Sequence, residues 1–265
     1  MATAADKVTF SFGQNWQDFL RKADKGATKR ALKDIDRWLR NSEVIGKRLL
    51  DIGCGSGLHS WCFHQLGAGD LTSFDYDEHS VNATRSMWEK AGKPANWRVQ
   101  QGSVLDAAFV RGLGQFDTVY SWGVLHHTGK MWDAIANAAE CVKPGGVFWI
   151  ALYAKGPNYE KDLALKRQYN GADDKGKRRM EKAFIRKIMW DRLKSKRNPF
   201  SWNERRGRGM NAYHDLVDWL GGLPYEVATI EEVDEFLARR GFVNEKAAPS
   251  GEGGCHVMLY KRSKV

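Results

Sequence analysis

At 265 residues and 42% hydrophobic content the chain is long enough for one large domain with additions, and it contains no run of about 18 apolar residues that would cross a membrane as a helix. Its net charge of +10 is unevenly placed: residues 155–210 hold 18 basic and 7 acidic residues, which leaves 24 and 25 for the rest of the chain, so the basic excess belongs to one segment. The opening MATAADKVTFSFG lacks the apolar stretch of a secretory signal, and a cytoplasmic protein with no membrane partner is the expectation.

In chain order, residues 1–45 read as an N-terminal helical cover. Phe10, Phe12, Trp16 and Phe19 cluster in its first part. In its second part Ala31, Leu32, Ile35, Trp38 and Leu39 fall on one face of a 3.6-residue period. The run LLDIGCGSGLHS follows, Leu49 to Ser60: an apolar strand with Asp51 set into it, then Gly53, Gly55 and Gly57 before a helix. Glycines so spaced permit a left-handed or close-approach backbone, and a helix start behind them turns N–H groups toward a ligand.

A second strand, LTSFD, ends on Asp75. An acid there stands where βαβ nucleotide sites place the carboxylate that accepts from two neighbouring ribose hydroxyls. Asp77 and Glu78 read as the first turn of the next helix, which Gly92 and Pro94 close. NWRVQQGSV is the third strand and FDTVYSW the fourth, leading to GVLHH and a helix from about 130 to 140. Lys143-Pro-Gly-Gly reads as a turn before a fifth strand, VFWIALY.

From Lys155 the alternation gives way to helical propensity and an arginine-rich piece, SWNERRGRG, with a further helix on Tyr213, Leu216, Val217 and Leu220. Thr229 and Glu232 then make a capping box, and FVNEKAAP and GCHVMLYKR pair as an edge hairpin. The fold expected is α/β: a Rossmann-like, doubly wound, mostly parallel sheet with an antiparallel edge hairpin, and a helical insertion after the fifth strand. Its core spans 46–154 and 225–265, and the basic insertion 155–224. Cys54, Cys62, Cys141 and Cys255 lack the paired spacing of a zinc or disulfide framework; they read as buried small apolar residues, and no metal is expected.

A dinucleotide site wants G-x-G-x-x-G, yet Leu58 occupies the third glycine position. On DIGCGSG, the acid in SFDYD, GSVLD, FDTVYSWGVLHH and KPGG, the chain resembles the class I S-adenosylmethionine-dependent methyltransferases over residues 46–153 and more weakly over 226–262. The resemblance implies S-adenosyl-L-methionine as cofactor and S-adenosyl-L-homocysteine as product. It implies that Asp51, Gly53, Gly55 and Gly57 line the methionine and sugar part, and that Asp75 takes the ribose hydroxyls. Tyr76 then lies against the adenine, Ser103 and the Val104 backbone meet its edge, Ser121 approaches the methionine amino end, and Trp16 serves as a cover.

Methyl transfer asks the protein mainly for geometry, and a hydroxyl acceptor also needs a base. His127 and His126, just beyond the fourth strand, are the candidates, with His214 a third. Ser121-Trp122-Gly123 stands where amino-directed enzymes carry a Pro-Pro segment, and no Pro-Cys nucleophile for cytosine C5 is present. The expectation is therefore an O-directed enzyme acting on a small molecule or saccharide, with the insertion as a cap whose cations draw an anionic acceptor. An RNA methyltransferase that uses the basic insertion ranks second, and a cofactor-binding protein without transfer activity third. Trp190, Trp202, Tyr213 and Trp219 read as the insertion's own small core or, alternatively, as an acceptor wall.

Overall fold

The computed structural model describes residues 25–202 and 212–264. Helix α1 (Lys25–Trp38) precedes β1 (Arg48–Ile52), α2 (Leu58–Gln65), β2 (Asp70–Asp75), α3 (Glu78–Lys90) and β3 (Trp97–Gln101). Next come α4 (Ala107–Leu113), β4 (Phe116–Trp122), a 3-10 turn at Leu125–His127, α5 (Met131–Glu140) and β5 (Val142–Tyr153). The insertion supplies α6 (Tyr159–Gly171), α7 (Asp174–Lys194) and α8 (Ala212–Gly221), and α9 (Ile230–Ala238), β6 (Phe242–Ala248) and β7 (Cys255–Arg262) follow.

The strands form one sheet in the order β3-β2-β1-β4-β5-β7-β6. β1 pairs in parallel with β2 and β4, and β7 runs antiparallel to both β5 and β6. Leu49 and Leu50, which pleating sends to opposite faces, are both fully buried, as a central parallel strand requires. Leu49 joins a core with Ile35 and Trp38 of α1, so the periodic face of that helix covers one side of the sheet. Leu50 and Ile52 join the opposite core with Ala134, Ile135 and Ala138 of α5 and Val233 and Leu237 of α9. The chain leaves β1 toward β2 on one side and returns through β4 on the other. That reversal opens a crevice at the carboxyl ends of β1 and β4.

Lys143-Pro-Gly-Gly does not precede β5 as a separate turn; it lies inside it. The register steps from Phe116↔Val142 to Thr118↔Val147, and the extra residues bulge with Gly145 at φ +75. Gly146 passes so close to the Asp117 carbonyl that a Cβ would sit 2.8 Å from it. Helix α4, which the hydrophobic pattern leaves unmarked, is nucleated by Asp106, whose side chain accepts from the N–H groups of Ala108 and Phe109. The Thr229–Glu232 capping box is present at the start of α9. Cys54, Cys62 and Cys141 are buried and Cys255 half-buried, all as free thiols.

Helices α6, α7 and α8 share a small core of Tyr169, Leu216 and Leu220 with Phe184, Ile185 and Trp219 packed against it. Trp190 is outside that core, 58% exposed. The aromatic cluster at Phe10–Phe19, Trp16 included, and residues 203–209 of the arginine-rich piece lie outside the described residues.

Candidate active site

The glycine turn is built by what its neighbours forbid. A Cβ on Gly53 would sit 2.4 Å from Val124 Cγ2, and one on Gly57 would sit 2.8 Å from the Thr84 Cα of α3; both glycines are left-handed, φ +73 and +74. Gly53 and Cys54 donate their N–H groups to the Phe74 carbonyl at 2.8 and 3.1 Å, which ties the turn to β2. Val124 belongs to the segment that carries His126 and His127, so the glycine turn and the histidine turn are packed against each other.

At the end of β2, Asp75 Oδ2 accepts from Gly55 N and Oδ1 from Asp77 N, each at 3.0 Å. Burial pushes its carboxyl up to about 6 against the stabilising backbone hydrogen bonds of Gly55, Asp77 and Tyr76. A carboxylate has about four lone-pair sites, so these backbone donors do not exhaust its capacity to accept from hydroxyls. Tyr76, the next residue, is 66% exposed.

Asp51 occupies a different environment. It is 1% exposed, and it ends a chain of donors: Trp97 Nε1 to Ser73 Oγ at 3.0 Å, Ser73 to Ser60 at 2.7 Å, and Ser60 to Asp51 Oδ2 at 2.5 Å. Burial raises its carboxyl to about 7, with the Asp75 charge adding to the rise and the Ser60 hydrogen bond opposing it. Its carboxylate therefore stands behind the glycine turn. Ser121 is likewise fully buried and donates to the Ile52 carbonyl at 3.1 Å, clamping β4 to β1. Ser103 accepts from Leu105 N at 3.2 Å, and the Val104 carbonyl takes the Asn137 amide at 2.8 Å.

The two histidines differ in tautomer. His127 Nδ1 lies 2.7 Å from the Pro224 carbonyl, and a carbonyl only accepts, so Nδ1 carries the proton and Nε2 the lone pair. Gly222 passes this ring so closely that a Cβ would sit 2.6 Å from Cε1. His126 Nδ1 instead accepts from the Tyr153 N–H at 3.2 Å, so its proton is on Nε2, which is buried without a hydrogen-bond partner among the described residues. Burial holds His127 down at about 3 and His126 well below the imidazole range, and the Lys166 charge lowers both further. His214 lies on α8, and its side chain is outside the described residues.

Two residues that the sequence did not single out, Lys166 and Glu226, complete this region. Lys166 of α6 is fully buried, with its ammonium 4.4 Å from the Tyr225 ring centroid, 4.5 Å from Trp219 and 5.5 Å from Tyr153. Glu226 accepts the Met131 N–H at the start of α5 and donates its own N–H to the His126 carbonyl. One signal was present in the sequence: Tyr159, Leu163, Lys166 and Tyr169 share a helical face, and a lysine in an otherwise apolar stripe is out of place. Among the described residues no cluster of metal-ligating side chains occurs.

A family model described as a methyltransferase domain matches residues 49–146. The tRNA U34 carboxymethyltransferase of Methylococcus capsulatus is 34% identical over 114 residues, which is 42% of this chain and 34% of that protein. The ubiquinone biosynthesis O-methyltransferase of Xanthomonas euvesicatoria is 35% identical over 115 residues, 43% of this chain and 46% of that one. The chain thus spans less than half the length of these two curated relatives. Among solved structures, the magnesium protoporphyrin IX methyltransferase of Synechocystis with bound S-adenosylhomocysteine aligns at TM-score 0.54 and 14% identity, covering 93% of this chain and 87% of that one. A methyltransferase of Mesorhizobium loti aligns at 0.53 and 19%, covering 89% and 98%. Both likenesses are of fold.

Proposed function

We propose that the chain is a class I S-adenosylmethionine-dependent methyltransferase and that it methylates an oxygen of a small-molecule or saccharide acceptor, with His127 as the base. The cofactor supplies a methyl group already activated on a sulfonium. The glycine turn leaves the space that a cofactor tail needs, and the carboxylates of Asp51 and Asp75 make the surroundings favourable to positive charge. Asp75 takes the ribose hydroxyls on its remaining lone pairs, Tyr76 lies along the adenine, and Ser103 with the Val104 backbone meets its edge. Asp51 and Ser121, both buried, fix the turn and the strand end. Trp16 is the proposed cover.

The observation that carries the reading is the His127–Pro224 contact, which leaves Nε2 as an acceptor. A hydroxyl that attacks a methyl becomes strongly acidic as the new bond forms, so a weak base suffices to take its proton. Burial keeps His127 neutral and ready for that role. Methyl label from S-adenosylmethionine, offered to cell extract and fractionated into small molecules, glycans and RNA, is expected in one of the first two fractions and lost in His127→Ala. Cofactor binding with no labelled fraction would leave a silent binding protein.

A second reading, RNA as acceptor, is favoured by one observation. Lys175, Arg178, Arg179, Lys182 and Arg186 line a single surface depression along α7, within one face of the helix. Relatives matched over the core act on tRNA as well as in quinone synthesis, so the core itself does not select between acceptors. RNA binding that falls steeply with salt, together with label in the RNA fraction, supports this reading; binding that is absent or insensitive to salt removes it.

A further inference from the structure

Lys166 is buried where a lysine is costly. Removing an ammonium from water costs several kcal/mol, and a methionine of similar length would fill the same space without that penalty. The surroundings answer the charge in part. Its Nζ donates to the Trp219 carbonyl, three aromatic rings enclose it, and Asp162 of α6 and Asp218 of α8 favour the protonated form. On the far side, His126 and His127 feel the same charge as repulsion.

We propose that Lys166 is a positioning residue for the histidine pair: its caged cation fastens the last turn of α8 and the loop after it, residues 219–226, against the turn at Leu125–His127 and sets a positive charge beside both imidazoles. The mechanical link is the end of α8 with the loop that follows it. Its Trp219 carbonyl accepts from Lys166, and its Pro224 carbonyl accepts from His127. Asn170, one turn beyond Lys166, donates to both the Lys166 and Gly221 carbonyls, at 2.9 and 3.0 Å. A second link is a run of edge-on and tilted ring contacts: Tyr225 lies 5.3 Å from Tyr153, and Tyr153 lies 4.1 Å from His126 and 5.3 Å from His127. Asp162 of α6 and Glu252 of the turn between β6 and β7 face Tyr225, and Tyr159 stacks on it, so the loop is held by acids and a ring.

The lysine is itself held down to about 7 by burial, so it changes charge where the histidines do not. Nuclear magnetic resonance of the full chain with isotope-labelled histidine therefore tests the inference without an acceptor. In the wild type the His126 and His127 signals are expected to inflect near pH 7 while both rings stay neutral. In Lys166→Met that inflection disappears and His127 protonates at a higher pH by roughly one unit; Lys166→Arg keeps the wild-type protonation. S-adenosylhomocysteine affinity should stay within about twofold in both variants, since Lys166 is not a cofactor residue. Identical histidine titrations in wild type and Lys166→Met overturn the proposal. If Lys166→Met does not fold, a wild type without the inflection near pH 7 overturns it equally. The consequence for turnover rests on His127 as base, but the titration does not: full methyl transfer by His127→Ala would remove the base and leave the Lys166 result standing.

Discussion

His127 Nδ1 lies 2.7 Å from the Pro224 carbonyl oxygen, and this contact joins the carboxyl end of β4 to the loop that closes the helical insertion. It fixes the tautomer, and with it which nitrogen carries the lone pair. His127→Ala is expected to lower methyl transfer by about 10²–10⁴-fold, the usual contribution of a general base, with S-adenosylhomocysteine affinity unchanged. Labelled-methyl rates beside calorimetry check both halves. A loss of cofactor affinity in parallel would assign the residue to binding.

Asp75 is expected to bind its ribose partners as a carboxylate. Because burial raises it to about 6, the binding form is depleted as pH falls through that value. Calorimetry with S-adenosylhomocysteine should show affinity about tenfold weaker at pH 5 than at pH 7.5. Asp75→Asn should be weak at both values and nearly flat between them. A wild type flat over the same range would place the ribose elsewhere.

Asp51 terminates the donor chain from Trp97 through Ser73 and Ser60. Asp51→Ala leaves that chain without its acceptor and is expected to cost about 1–3 kcal/mol in denaturant unfolding, whereas Asp51→Asn still accepts and should cost less. The carboxyl is raised, so the folded state holds its proton more tightly than the unfolded one. Its contribution is complete below the ordinary carboxylate range and is lost as pH rises through about 7. The stability of wild type relative to Asp51→Asn should therefore fall between pH 5 and pH 8.

Gly57→Ala places a Cβ 2.8 Å from the Thr84 Cα at φ +74. Left-handed strain and that collision with α3 together are expected to remove about 1–3 kcal/mol of stability and to weaken cofactor binding. Gly92→Ala is the control: it also has positive φ, +86, but nothing lies within 4 Å of the added Cβ. Its cofactor affinity should stay at the wild-type level.

The sheet and the cofactor turn were legible because their determinants are local. Alternating apolar and turn residues mark strands and helices, and Leu58 in place of a third glycine separated this turn from a dinucleotide site. Where the pattern failed, a long-range contact had won. Lys143-Pro-Gly-Gly reads as a turn, but pairing with β4 carries it into β5 as a bulge. The hydrogen-bond partners of Asp51 were not legible either, because Ser60 and Ser73, nine and twenty-two residues away, join its carboxylate only in the fold.

The sequence by itself determined the doubly wound class, the glycine turn, Asp75 at the end of β2 and the concentration of positive charge in one insertion, since each depends on spacing or composition within a short stretch. The tertiary structure decided what the histidines are. Their tautomers follow from Pro224 and Tyr153, and their neutrality follows from burial and from Lys166, contributed by a helix about 40 residues downstream. Hydrogen-bond partners and desolvation are properties of packed neighbours, and only folding brings those neighbours together.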